Sequence, residues 1–138
     1  MTAGKRMVVV SSGSSGGAFL LAPKAPQGIG VLIHAESTEK LPVAYPSAVA
    51  GEVMRRFGAP PKKGGAKDHH TASVDWGMRV LGDYVLPDLK PHVVIAWVTE
   101  PDHTQHAFGS NAPETVATIR NDDRQLGVIL DRLQAAGN

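Results

Sequence analysis

The chain has 138 residues, of which 42% are hydrophobic and 20% are charged, and its formal net charge is +1. These values are typical of one ordinary globular domain, and they argue against a protein that binds nucleic acid or a membrane surface through basic excess. Because the chain has no cysteine, a metal would have to be held by histidine and carboxylate groups. No stretch is long enough to span a membrane or to form a signal-peptide core, so we expect a cytoplasmic protein.

The first third of the sequence predicts three strands. Residues 6–10 and 30–34 are short apolar runs, and residues 18–23 also favour a strand over a helix. His34 closes the third run, where we expect a loop histidine. Residues 35–44 carry mixed charge and are predicted to form a solvated loop.

A segment rich in serine and glycine, residues 11–17, separates the first two predicted strands. Such a loop after a strand can cradle phosphate with its backbone N–H groups. Its spacing fits neither the Walker pattern nor the dinucleotide pattern, so a flexible hairpin-type turn is favoured.

Two amphipathic helices are predicted in the middle of the chain. The first begins at Pro46 and ends before Gly58, with apolar residues at four-residue spacing. The second covers residues 71–86, and its apolar face contains Val74, Met78, Leu81 and Val85. Residues 59–70, between them, are rich in proline, glycine and lysine and predict an exposed connection.

The segment after the second helix carries the candidate site. Residues 92–98 predict a buried strand that stops before Pro101, so the polar residues beyond it are expected on a loop at the carboxyl end of a strand. Ligands bind at that edge in open α/β sheets. Asp102 and His106, four residues apart, can reach one metal ion from the same side; the alternative is a pair of ordinary surface residues.

The last predicted helix opens at residues 112–114, with Asn111 as its cap. At about 100° per residue, Asp123 falls within its predicted buried stripe, formed by Val116, Ile119, Leu126, Leu130 and Leu133. A buried carboxylate needs a partner, so we predict that Asp123 hydrogen-bonds the segment 99–109 and orients the metal ligands. The alternative is a salt bridge to a local arginine. Asp122 is expected at the edge of the stripe, within reach of water.

Long apolar strands separated by amphipathic helices predict a layered α/β fold with a largely parallel sheet flanked by helices. The sequence contains no internal repeat and no second domain boundary, so residues 1–138 are interpreted as a single domain.

Residues 100–109, Glu-Pro-Asp-His-Thr-Gln-His-Ala-Phe-Gly, together with 119–127, resemble the type I phosphodiesterase / nucleotide pyrophosphatase family of the alkaline phosphatase superfamily. The family motif reads Glu-Pro-Asp, three residues, His, two residues, Gly, and then Asp-x-x-hydrophobic-Gly on the next helix. The match covers roughly residues 93–133. The resemblance implies an alkaline-phosphatase-like sheet with helices on both faces. It also implies hydrolysis of phosphodiesters or pyrophosphates of a phosphorylated small molecule by two metal ions, commonly zinc.

The resemblance also implies roles for individual residues. Asp102 and His106 match two ligands of the metal ion that activates water, whereas Glu100 belongs to the motif without being a ligand. The family usually has small residues between the aspartate and the histidine, so His103 at this place could be an extra ligand or a substrate contact. We therefore interpret Glu100, like Asp123, as a residue that orients the metal ligands.

Other parts of the family pattern are missing from the sequence. Only five residues precede the first predicted strand, and no Asp-His-Gly motif is present. The domain is therefore predicted to be incomplete and to lack the nucleophile region, with the missing remainder of a catalytic domain as a candidate partner. His34 or His103 could supply a third ligand, but no activated nucleophile would result, so we expect little hydrolysis of an aryl phosphodiester with added zinc. The alternative function is a non-catalytic α/β protein that binds a partner.

Overall fold

A four-stranded sheet organises the chain, whose computed structural model describes residues 4–36, 41–62 and 70–137. The strands are β1 (Met7–Ser11), β2 (Val31–His34), β3 (Ala44–Tyr45) and β4 (Val93–Trp97). The helices are α1 (Ser15–Leu21), α2 (Ser47–Phe57), α3 (Thr71–Val80), α4 (Asp102–Phe108) and α5 (Pro113–Ala135), with a short 3₁₀ turn at Ala25–Gln27 and a π-helical continuation of α3 at Leu81–Leu89. None of the helices in this described part of the chain combines the length and apolar content needed to cross a bilayer.

The order of the strands across the sheet is β3-β2-β1-β4. β1 is parallel to both β2 and β4, whereas β3 is antiparallel to β2, which confirms the predicted α/β fold with a largely parallel sheet. The central position of β1 explains why Val8 and Val9 are completely buried. Because the chain moves from β1 to β2 on one side and later to β4 on the other, the loops after β1 and β4 flank a crevice of the kind in which α/β proteins bind ligands.

The strand predicted at residues 18–23 is wrong, because most of this segment belongs to helix α1. β1 and β2 are parallel, so their connection has to cross from one end of the sheet to the other, and a hairpin cannot do this. The hairpin-type turn predicted for residues 11–17 is wrong for the same reason. The side chain of Ser14 caps α1, and the Glu36 carboxylate accepts the N–H of Ser15 at 2.5 Å, so this loop leads into a well-capped helix start.

The end of β2 also differs from the prediction. His34 is the last residue of the strand and is completely buried, so the expectation of a loop histidine is wrong. The solvated loop predicted for residues 35–44 is likewise wrong at its end, because Val43 and Ala44 are buried where β3 joins the sheet. Residues 37–40 of that prediction lie outside the described residues.

Both middle helices are confirmed. α2 starts directly after Pro46 and ends at Gly58, which adopts φ 71°. α3 and its continuation run three residues beyond the predicted end at residue 86, so that Pro87 lies inside the π-helical segment. Their predicted apolar face is buried and consists of Val74, Met78, Leu81 and Val85. Of the predicted exposed connection, residues 63–69 lie outside the described part.

The strand predicted at residues 92–98 is present as β4, but the prediction that it is buried is wrong. Val93 is 51% exposed and Trp97 is 36% exposed. A continuous apolar run is typical of strands covered on both faces of a parallel sheet. Here β4 is at the edge of the sheet, and α1 packs mainly on β1 and β2. The apolar run therefore shapes a surface of the molecule.

Helix α5 is present as predicted, although Ala112 rather than Asn111 holds the cap position. Its predicted buried stripe is wrong for the four residues that are between 38% and 54% exposed, which are Val116, Ile119, Leu126 and Leu130. An adjacent face of the helix is buried instead, with Thr115, Thr118, Asn121 and Ile129, and Leu133 is half-buried. α5 thus packs on α3 and α4 largely through polar residues and leaves an apolar stripe on the outside.

Candidate functional site

The candidate site begins where the loops after β1 and β4 are joined. The Ser12 hydroxyl oxygen accepts the backbone N–H of Thr99 at 3.0 Å and lies 3.0 Å from the Thr99 hydroxyl. The backbone N–H of Ser12 in turn donates to the carbonyl of Trp97 at 3.0 Å. These bonds fix the chain that leaves β4 against the centre of the sheet, and so they fix the start of α4.

Asp102 and His106 lie on one face of α4, where residues four apart are neighbours. The Asp102 Oδ1 atom is 3.5 Å from the His106 Nε2 atom, and the side chains are 83% and 82% exposed. The expectation that these residues lie on a loop is wrong. The expectation that both side chains reach one point at the carboxyl end of β4 is confirmed. Their role as metal ligands stays a prediction.

The spacing of this pair fits one edge of a tetrahedral zinc site. Oxygen and nitrogen ligands at about 2.0–2.2 Å from a tetrahedral ion are roughly 3.4 Å apart. The observed separation of 3.5 Å between Asp102 Oδ1 and His106 Nε2 is close to that value. In the described ranges 4–36, 41–62 and 70–137, no group of three or more histidine and carboxylate side chains could hold a metal ion together. In the described part of the chain, a metal ion at this place would therefore have two protein donors at most.

Glu100, which is only 5% exposed, holds the start of α4 in place. Its Oε1 atom accepts the backbone N–H of His70 at 2.6 Å, and its Oε2 atom accepts that of Thr104 at 3.1 Å. One N–H group belongs to the residue that precedes α3 and the other to the first turn of α4, and the dipoles of both helices favour a negative charge at this position. The carboxylate thus joins two helix starts and sets the orientation of the helix that carries Asp102 and His106.

His103 belongs to the same joint between α3 and α4. Its ring stacks on the ring of His70, with 3.6 Å between the ring centroids and 11° between the planes. Its Nε2 atom is buried without a hydrogen-bond partner among the described residues. The stack places His103 against the start of α3, and its role as an extra ligand or substrate contact stays a prediction.

The partly buried carboxylate of α5 is that of Asp122 and not that of Asp123. Asp123 is exposed, so the prediction that it is buried is wrong. Its role in orienting the metal ligands was inferred from that burial, and it stays a prediction. The Asp122 Oδ1 atom is buried and has no hydrogen-bond partner in the described part of the chain. Burial is the largest cause, and the negative charges of Glu100 and Asp75 add to it, so that together they raise the pKa of Asp122 to about 6. The sequence has two adjacent aspartates, and the rotation of α5 about its axis determines which of them faces the protein interior.

We expect Asp122→Asn to stabilise the protein at pH 8 but not at pH 4. The pKa of Asp122 is raised to about 6 from 3.8, so the folded state holds a proton that the unfolded state releases, and stability falls as pH rises through this window. A shift of this size amounts to about 3 kcal/mol for a fully buried group. Solvent near the half-exposed carboxyl reduces the expected gain to about 1 kcal/mol.

Urea unfolding of both proteins at pH 4 and at pH 8 measures this difference. Asp123→Asn is the matched control, since Asp123 is exposed and adjacent in sequence, and we expect no gain from it at either pH. An equal gain from Asp122→Asn at both pH values would show that the effect does not arise from ionisation.

Comparisons of the chain with protein-family models, with curated proteins and with solved structures gave no match. The functional argument therefore depends on the geometry of the site and on the motif at residues 100–109.

Proposed function

We propose that the chain is part of a metal-dependent phosphoester hydrolase that acts on a phosphodiester or pyrophosphate bond of a small molecule. In this proposal Asp102 and His106 hold one divalent ion, with zinc favoured by the oxygen and nitrogen donors. The observation that carries the proposal is the 3.5 Å approach of these two side chains at the open carboxyl end of β4. The resemblance of residues 100–109 to the family motif supports the same assignment.

The protein residues supply binding and orientation. Asp102 binds as a carboxylate and His106 as a neutral imidazole, so metal binding should weaken in acid, where protons compete with the metal for both donors. Glu100 fixes the first turn of α4, and Ser12 fixes the chain before it. A bound zinc ion would polarise a phosphoryl oxygen and lower the pKa of an attacking hydroxyl group.

Zinc titration by calorimetry at pH 7.5 tests this proposal. We expect Asp102→Ala and His106→Ala each to weaken zinc binding about tenfold or more, because each removes one of the two donor side chains of the proposed site. Asp131→Ala is the matched control, since Asp131 is an exposed carboxylate on α5. His69→Ala is included because His69 and His70 form an adjacent histidine pair that could bind zinc independently.

The two sets of variants separate the possible sites. Affinity that is lost with Asp102→Ala and kept with His69→Ala supports the proposal. Affinity that is lost only with His69→Ala, or zinc binding that none of the variants changes, contradicts it.

A second candidate function is that of a non-catalytic α/β protein that binds a partner. The apolar stripe on α5 favours it, because Leu126 and Leu130 are 50% and 54% exposed. The zinc titration discriminates between the hydrolase and the partner-binding protein. For a partner-binding protein, Asp102→Ala should leave zinc binding unchanged. Translating the DNA on both sides of the reading frame gives an independent discriminator, because the hydrolase predicts a threonine nucleophile motif and an Asp-His-Gly motif there.

A further inference from the structure

Strand β4 forms one outer edge of the sheet of described strands. Val93 donates its N–H to the Arg6 carbonyl, and the Trp97 carbonyl accepts from Ser12, so the odd-numbered residues of β4 point their peptide groups towards β1. Because these groups alternate along a strand, the N–H and C=O groups of Val94 and Ala96 face the opposite edge. Among the described strands, none pairs with that edge. The outward N–H and C=O groups of an apolar edge strand can form hydrogen bonds with a strand of another chain.

Two cavities are lined by residues of both β4 and α5. The smaller one has a volume of about 390 Å³. Its lining includes Ala96 of β4, Val98 just after the strand, and Ile119 and Leu126 of α5. The larger one, of about 1040 Å³, extends past Val94 towards the end of α5. The outer edge of β4, the two cavities and the exposed stripe of α5 together form one apolar surface, which we call the β4–α5 surface.

The charges on the β4–α5 surface are opposite at its two ends. Lys90 and His92 line the larger cavity, at the start of β4. Asp122 and Asp123 line the smaller cavity, near the end of the strand. The surface is therefore basic at one end and acidic at the other, with apolar residues between.

We propose that the β4–α5 surface binds a second copy of this chain, with the two β4 strands paired antiparallel across a two-fold axis. Such an axis exchanges the ends of the surface, so the basic end at Lys90 meets the acidic end at Asp123 of the second copy. A two-fold interface requires a surface that is complementary to itself, and this distribution of charge meets the requirement. The exposed stripes of the two α5 helices cover each other below the joined sheets.

The dimensions of the surface suit a stable dimer. α5 has 23 residues and is about 35 Å long, and β4 has five residues and is about 17 Å long. Side by side they give a footprint of the order of the ~800 Å² per partner that specific interfaces bury. Apolar groups from both elements would lose water on pairing, which is the main favourable contribution to association.

Sedimentation velocity over a range of concentrations tests the proposal. We expect the unmodified chain to dimerise and both Ala96→Pro and Leu126→Glu to raise the dissociation constant at least tenfold. Proline at 96 removes an outward N–H and keeps the bonds to β1, and glutamate at 126 places a charge in the covered stripe. Leu20→Glu on α1 is the control, since Leu20 is 84% exposed and outside the surface, and it should dimerise normally.

A charge exchange tests the antiparallel arrangement. Lys90→Glu alone and Asp123→Lys alone should each weaken the dimer, most strongly at low salt, because each places like charges opposite one another. The double variant should recover most of the affinity. Circular dichroism confirms that each variant is folded, and Leu126→Glu keeps the test valid if Ala96→Pro unfolds.

Three results would overturn the proposal. They are a chain that remains monomeric at its highest soluble concentration, a dimer that Leu126→Glu does not weaken, and a double charge variant that is weaker than both single variants.

Discussion

Glu100→Ala is expected to lower the free energy of unfolding by about 2–4 kcal/mol, because it leaves two backbone N–H groups without an acceptor at the joint of α3 and α4. These groups belong to His70 and Thr104, and Thr104 is completely buried. Urea unfolding at pH 7.5 measures the loss. Glu100→Gln is the matched variant, since its amide keeps one acceptor oxygen and should recover about half of the stability.

Glu100→Ala also tests whether Glu100 orients the metal ligands on α4 or only stabilises the fold. If Glu100 orients α4, zinc affinity measured well below the unfolding transition should fall about tenfold in Glu100→Ala, as expected when a group that orients metal ligands is removed. A stability within about 0.5 kcal/mol of the unmodified chain, with unchanged zinc affinity, would contradict this role.

Gly17→Ala is expected to lower the free energy of unfolding by about 1–3 kcal/mol, although alanine favours helices. A Cβ atom at residue 17 would lie 2.0 Å from the Trp97 ring, so the indole has to move. Gly16→Ala, one residue earlier in α1, meets no atom within 4 Å. It should therefore stabilise the protein by about 0.5–1 kcal/mol, as expected when alanine replaces a helical glycine.

Urea unfolding of the two alanine variants, with and without Trp97→Ala, completes a double-mutant cycle. We expect Trp97→Ala to remove most of the penalty of Gly17→Ala and to leave the effect of Gly16→Ala unchanged. Equal effects of the two glycine substitutions would contradict the close approach of Trp97 to α1.

Local patterns in the sequence predicted much of the fold. The alternation of apolar strands and amphipathic helices predicts the layered, largely parallel sheet, and the face with Val74, Met78, Leu81 and Val85 is buried as its periodicity requires. α1 could not be predicted in this way, because residues 15–21 contain two glycines and become helical under the constraint that β1 and β2 are parallel. Tertiary structure overrides local propensity there.

The burial of β4 depends on the order of the strands in the sheet, which no local sequence pattern shows. The run at residues 92–98 is apolar enough for a central strand, and only the strand order puts β4 at an edge. The helical period of α5 similarly identifies an apolar stripe without showing which face packs on α3. For this reason the sequence predicts Asp123 as the buried carboxylate, whereas the buried oxygen is Oδ1 of Asp122, whose pKa is raised to about 6 mainly by burial.

In the candidate site, too, a local pattern predicts one feature, whereas the others depend on the tertiary structure. The four-residue spacing of Asp102 and His106 predicted their convergence, and it holds on a helix as it would on a loop. The contacts that fix α4 were less accessible to prediction, because Glu100 and His70 are 30 residues apart and no local pattern links them.

Anomalous scattering at the zinc absorption edge, from a crystal grown with equimolar zinc, tests the metal site most directly. The proposal predicts an anomalous peak within about 2.2 Å of both Asp102 Oδ1 and His106 Nε2, and its disappearance in Asp102→Ala. A fully occupied zinc ion elsewhere on the chain, with Asp102 and His106 bound only to each other, would contradict the proposal.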